Sequence, residues 1–247
     1  MLFRSGIGVV GVVPGAEVIS LKVFDSSGGG ASYSTITSAI NHAVSTINNN
    51  NLDKSKCVIN MSLGGPFDGA LDQVVKDAAD QGIKFSIAAG NSGMDADSYS
   101  PASAGDHENV FTASAVDNKY QMPWWSNWDD PNGGDDVDFA APGVDVVSYY
   151  KNGQLEYLSG TSMAAPHIGG LILAGGVKEG EKVKANSAGY ADHFGLAKGD
   201  DNETPNPPSP EPPTEEPPKE GDPIEWETYG NSSGSNGAFN LSNSSGS

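Results

Sequence analysis

Between Val18 and Ala115 the chain alternates short β-rich apolar runs with amphipathic stretches of helical period, and that alternation leaves few folds open. Val18 to Phe24 (VISLKVF) reads as a buried strand. From Tyr33 to Asn48, Ile36, Ile40, Ala43, Val44 and Ile47 recur at three- and four-residue spacing, which predicts a helix stopped by Asn48-Asn49-Asn50-Asn51. Cys57 to Met61 is the next strand, Ala70 to Gln81 a second helix closed by Gly82, and Lys84 to Ala88 a third strand running into the loop Gly90-Asn91-Ser92-Gly93. Strand, helix, strand, helix, strand implies a parallel sheet covered by helices, an α/β fold.

Val110 to Val116 and Val137 to Ala141 extend the strand pattern, and Val144 to Leu158 reads as a hairpin turning at Lys151-Asn152-Gly153. A further helix is expected from near Ser162 to Leu173, ended by Gly175-Gly176. Beyond Gly199 the composition changes: nine of the 16 prolines fall between Pro205 and Pro223, interleaved with Glu. The expected organisation is a domain over 6–199, an acidic, extended Pro-rich linker over 200–223, and a tail over 224–247 that is either low-complexity, with Asn231 to Ser247 too poor in apolar residues to pack alone, or the truncated opening of a further domain at Ile224, Trp226 and Tyr229. The net charge of −19 argues against nucleic acid and anionic membranes as partners, and no run of 18 apolar residues is available to span a bilayer. A single cysteine, Cys57, excludes an internal disulfide.

Gly6-Ile7-Gly8-Val9-Val10-Gly11 matches the dinucleotide-binding fingerprint in letters only. No strand precedes it and Pro14-Gly15 follows where a helix should begin, so a nucleotide site is rejected. Chemistry is carried instead by Gly160-Thr161-Ser162-Met163-Ala164-Ala165-Pro166-His167. It places a serine at a loop-to-helix junction, with Pro166 expected in the first turn, where a missing N–H costs nothing. A serine there sits at the positive end of the helix dipole.

GTSMAAPH resembles the nucleophile signature of the subtilisin-like serine proteases (the subtilase, or peptidase S8, family). Cys57 to Gly65 (CVINMSLGG) is similar to the family's substrate-lining strand, Ala88-Ala89-Gly90-Asn91 to its oxyanion loop, and Phe139 to Gly143 (FAAPG) to the segment before the serine, all in the family's order. The resemblance implies a three-layer fold with a mostly parallel central sheet and an endopeptidase acting through an acyl-enzyme. Ser162 would be the nucleophile and Asn91 a donor to the oxyanion. Ser62-Leu63-Gly64 and Ala89-Gly90 would form the walls of the substrate cleft, and Tyr33 would line a more distant subsite. A polypeptide substrate, a monomer and a secreted or cell-surface location are implied as well.

The family's Asp and His should lie upstream of Gly6, so the resemblance begins in mid-domain, the fold is expected to be incomplete at its N-terminus, and the chain is expected to be inactive alone. Among the four histidines none stands in the family's setting. His167 follows Ser162 by five residues and should lie roughly 140° around the helix from it. No organic cofactor is expected. Structural calcium is compatible with the resemblance near Ser5 to Val9, whereas the acidic loop Asp129, Asp130, Asp135, Asp136, Asp138 fits no ligand spacing and reads as solvated.

Overall fold

The computed structural model describes residues 9–24, 30–130, 136–198 and 237–242. In chain order the regular elements are β1 (Glu17–Ser20), α1 (Tyr33–Asn49), β2 (Val58–Ser62), β3 (Gly65–Pro66), α2 (Gly69–Ala79), β4 (Lys84–Ala88), β5 (Tyr99–Ser100), β6 (Val110–Val116), β7 (Phe139–Pro142), β8 (Val146–Tyr149), β9 (Leu155–Leu158), α3 (Thr161–Leu173), β10 (Val177–Lys182), β11 (His193–Ala197) and β12 (Gly237–Ser242). An eight-stranded sheet runs β1-β12-β2-β4-β6-β7-β11-β10. All its pairings are parallel except β10 with β11.

Local chemistry starts the helices where the sequence places them. Ser32 caps α1 by accepting from the Thr35 N–H, and Asp68 caps α2 by accepting from the N–H groups of Ala70 and Leu71. Both helices bury one stripe on the same face of the sheet. There Ile36, Ile40 and Ile47 of α1 and Leu71 and Val75 of α2 pack with Ile59, Met61, Phe85 and Ile87 from the sheet. Each fully buried side chain of this size contributes roughly 1.5–3 kcal/mol.

The opposite sheet face carries small residues, Ala88, Ala113, Ala115 and Ala141, and against them lies α3 through Ala164, Ala165, Ile168 and Ile172. This is a three-layer α/β arrangement. The small side chains let α3 approach so closely that the buried Ser86 hydroxyl, on β4, donates to the Ala165 carbonyl at 2.6 Å. Apolar residues surround α3 on nearly every side, as expected of a helix inside the molecule.

Several boundaries differ from the sequence reading. β1 ends at Ser20; Leu21 and Phe24 still pack against the α1/α2 core but outside the ladder. The hairpin is present as β8 and β9, and its turn holds Asn152 at φ 60° and Gly153 at φ 72°. β10 and β11 were not legible: VKEGEK is charged at four of its six positions and HFGLA carries a glycine, so neither shows an apolar run. The tail over 224–247, assigned to a region apart from the 6–199 domain, contributes β12 to that domain's sheet. β12 lies parallel between β1 and β2, with Ala238 beside Val18 and Val58. The linker over 200–223 lies outside the described residues.

Candidate active site

Parallel strands leave a crevice beyond their carboxyl ends, where the chain must turn away into loops or helices. In this molecule that edge is formed by Ser62-Leu63-Gly64 after β2 and by Ala89-Gly90-Asn91 after β4, with the start of α3 meeting both. Asn91 fixes the junction. Its Oδ1 accepts from the Thr161 N–H at 2.8 Å and from the Thr161 hydroxyl at 2.9 Å, while the Gly90 N–H donates to that same hydroxyl at 3.0 Å. With the amide oxygen committed, Nδ2 is turned toward Gly160: a Cβ there would stand 3.3 Å from it. Asn91 is exposed, so this donor opens onto the crevice.

Ser162 is the second residue of α3, and its backbone N–H is among the N-terminal donors the helix leaves without an internal acceptor. The Ser162 hydroxyl donates to the Ser62 carbonyl at 3.3 Å, and the Ser62 hydroxyl donates to the Ser162 carbonyl at 2.8 Å. The second bond corrects the reading of Pro166. Because α3 begins at Thr161, Pro166 lies in the second turn, at the position whose N–H would have bonded the Ser162 carbonyl. That acceptor is left open by proline, and Ser62 occupies it.

The other residues singled out in the sequence fall around this junction. Leu63 is buried, Gly64 is exposed, and Ala89 is fully buried. Gly90 has φ +110°, and a side chain there would run into the Asn127 amide, whose Nδ2 would stand 2.4 Å from the Cβ. Tyr33 sits at the start of α1, and its hydroxyl donates to the Pro66 carbonyl, on β3. It therefore abuts the continuation of the Ser62-to-Gly64 segment and not Ser162 itself.

None of the four histidines is bonded to Ser162. The His167 Nδ1 donates to the Met163 carbonyl at 2.8 Å, and burial lowers its pKa, so it is a neutral ring tied to its own helix. His107 meets Asp80, His193 meets the Gly180 carbonyl, and His42 is exposed on α1.

Asn127 was missed in the sequence. Fully buried, it donates to the Ala89 carbonyl at 2.9 Å and accepts from the N–H groups of Ser92 at 2.9 Å and Met94 at 3.2 Å, so one side chain holds the loop that carries Asn91. An asparagine between Ser126 and Trp128 gives no local signal of this, since its partners lie more than thirty residues away.

Among the described residues no group of three or more His, Cys, Asp or Glu side chains could hold a metal ion. Asp138 is committed to the Thr112 N–H at 2.8 Å and Asp129 to the Asp136 N–H at 3.4 Å. Asp135 and Ser5 to Gly8 lie outside the described residues. No helix there is long and apolar enough to cross a membrane.

A mostly parallel sheet between two helical layers, with a serine at a helix N-terminus and an asparagine amide anchored beside it, defines a subtilisin-like α/β protein. The subtilase family model matches residues 2–175, and the chain belongs to that family. It is 39% identical over 175 residues to a subtilisin-like protease of Coccidioides posadasii, covering 69% of this chain and 41% of that one. Against a subtilisin-like serine protease of Rhodotorula mucilaginosa the identity is 39%, covering 68% and 47%. Proteinase T of Parengyodontium album is 35% identical, covering 65% of this chain and 52% of its own length. The chain thus spans about half the length of these relatives. The crystal structure of a cold adapted subtilisin-like serine proteinase aligns with a TM-score of 0.59 at 27% identity, covering 78% of this chain and 69% of that one.

Proposed function

We propose that this chain carries the nucleophile half of a serine endopeptidase site. The observation that carries the reading is the anchoring of Asn91 on Thr161, which leaves its Nδ2 facing Gly160, where a Cβ would stand 3.3 Å from Nδ2 and 3.7 Å from the Ser162 nitrogen. A peptide carbonyl carbon attacked by the Ser162 Oγ becomes tetrahedral, and its oxygen becomes an anion that these two donors stabilise. The hydroxyl proton passes to a base and from there to the departing amine; water then releases the acyl group from Ser162. An extended polypeptide substrate lies between the Ser62-to-Gly64 and Ala89-Gly90 walls, and Tyr33 bounds a subsite further along. No organic cofactor takes part, structural calcium is compatible with the family, and the protein works as a secreted or cell-surface monomer.

The base is a histidine oriented by an aspartate, supplied from outside these 247 residues, so the chain by itself does not turn over substrate. A second reading, a catalytically incompetent fragment or pseudoprotease that keeps a peptide-binding cleft, is favoured by the Ser162 hydroxyl donating to the Ser62 carbonyl and not to an imidazole. A fluorophosphonate probe separates them. The chain alone should remain unlabelled, and the chain joined to the upstream Asp- and His-bearing segment of a family member should be labelled at Ser162 but not after Ser162→Ala. Labelling of the isolated chain would refute the need for an external base, and an unlabelled joined protein would favour the peptide-binding reading.

A further inference from the structure

Far along the sheet from the crevice, β10 and β11 form, with the segment after β6, a cleft of about 390 Å³ whose lining includes Lys119, Lys182, Lys184, Tyr120, Phe194 and Leu196. Tyr120 and Phe194 meet edge to face at 5.0 Å. Tyr120 is 55% exposed and Leu196 42%, so the apolar floor is open to solvent. The walls are tied together by backbone: the Lys184 N–H donates to the Tyr120 carbonyl, and the Met122 N–H donates to the Lys184 carbonyl.

The cleft is also rich in lysine within an acidic chain. Four of the 13 Lys and Arg residues, Lys178, Lys182, Lys184 and Lys198, fall on these two strands and their borders, and Lys119 lies on the segment after β6. Lys178 lies opposite Leu196 in the ladder. Lys119, Lys182 and Lys184 enter none of the ion pairs among the described residues, where Lys76 is joined to Asp106. Glu181 is the only carboxylate in the lining.

We propose that this cleft binds the chain's own acidic proline-rich segment, Pro205 to Glu216 (PNPPSPEPPTEE). That segment holds six prolines and three glutamates, Glu211, Glu215 and Glu216. Proline has no N–H to give a sheet edge, so such a segment binds by laying pyrrolidine rings on an open aromatic surface, and a proline-rich sequence has little conformational entropy to lose on binding. Tyr120, Phe194 and Leu196 offer that surface, and the three lysine ammonium groups beside them match the three carboxylates.

Connectivity permits it. The linker leaves β11 at Lys198, and five strand residues, about 16 Å, separate that exit from the Phe194 and Lys182 end of the cleft. Residues 199–204 reach that far at about 3.1 Å per residue. The twenty residues from 217 to 236 then have to regain β12, six strand positions from β10 or roughly 29 Å, well within their extended length of about 62 Å.

Zero-length carbodiimide cross-linking of the full chain tests this, with equal amounts of ¹⁴N- and ¹⁵N-labelled protein mixed and the joined peptides mapped by mass. The expected products join Glu211, Glu215 or Glu216 to Lys119, Lys182 or Lys184, with both halves from the same chain. Their yield should fall about tenfold in 0.5 M NaCl, because exposed ion pairs are screened and individually weak. Tyr120→Ala should lower it as well. Products of mixed isotope would place the segment on a second copy and overturn the proposal. So would cross-links to Lys54, Lys56 and Lys84 in equal yield, or a yield that ignores Tyr120→Ala. The readout needs no catalysis, so it stands apart from the role of Ser162.

Discussion

At Ser162 two serines exchange hydrogen bonds between the end of a strand and the start of a helix, and a proline makes the exchange necessary. Pro166 cannot serve the Ser162 carbonyl, so the Ser62 hydroxyl does. Ser62→Ala should therefore strand a partly buried acceptor and lower stability by roughly 1 kcal/mol, the low end for an unsatisfied group. In a Pro166→Ala background, where a backbone N–H returns, the same change should cost much less. Urea unfolding of the four proteins of that cycle measures the coupling, and additive effects would show that Pro166 has no part in it. A second residue sets a pH dependence. Asp192 is buried against the Ser114 hydroxyl, and burial raises its pKa from the ordinary 3.8 to about 7. The folded state then holds a proton that the unfolded chain has released, so this contribution is full below pH 3.8 and is lost as pH rises toward 7. Relative to Asp192→Asn, the native protein should lose stability across that window at up to about 1.4 kcal/mol per pH unit, read as the difference between their urea midpoints at successive pH values.

At the scale of elements, the loop from β4 to β5 shows how one buried amide positions an exposed one. Asn127→Ala removes a donor to Ala89 and the acceptor for Ser92 and Met94 at a fully buried position. The expected loss is roughly 2–3 kcal/mol, accompanied by faster hydrogen exchange at the Ser92 and Met94 amides. Unchanged exchange there would mean the loop is held by other bonds. Such long-range satisfaction marks what the sequence could not disclose. α1, α2, β4 and β6 were legible because their period, caps and apolar runs are local, and β6 runs from Val110 to Val116 as read. Ser162 and Asn91 were legible as candidates because each stands in a short motif, and the structure brings them to one crevice. Asn127 and the bonding roles of Thr161 and the Ser62 hydroxyl could not be found that way, since each acts through a partner at least thirty-five residues off. β10 and β11 were hidden for another reason: an antiparallel pair at a sheet edge needs no continuous apolar run, and charge on its open face protects it from pairing with other chains.

Across the whole molecule the sheet closes over a large separation in sequence. β1 bonds β12 and not β2, although β1, α1 and β2 follow one another in the chain, because a parallel crossover can leave room for one more strand between its ends. A strand in that position satisfies backbone groups of two neighbours at once: four register pairs with β1 and five with β2. Removing it would turn the inward side of β2 into an edge and leave β1 with no partner strand. Phe239→Pro, which deletes one donor N–H in the middle of the strand, tests this without shortening the chain. The expected result is loss of exchange protection at Val18 to Ser20 and along one side of β2, while β4, β6 and α3 keep theirs. Gly237→Pro, at the first residue of the strand, should do far less. If the two variants exchange alike at β1 and β2, the place between those strands is not held by this segment.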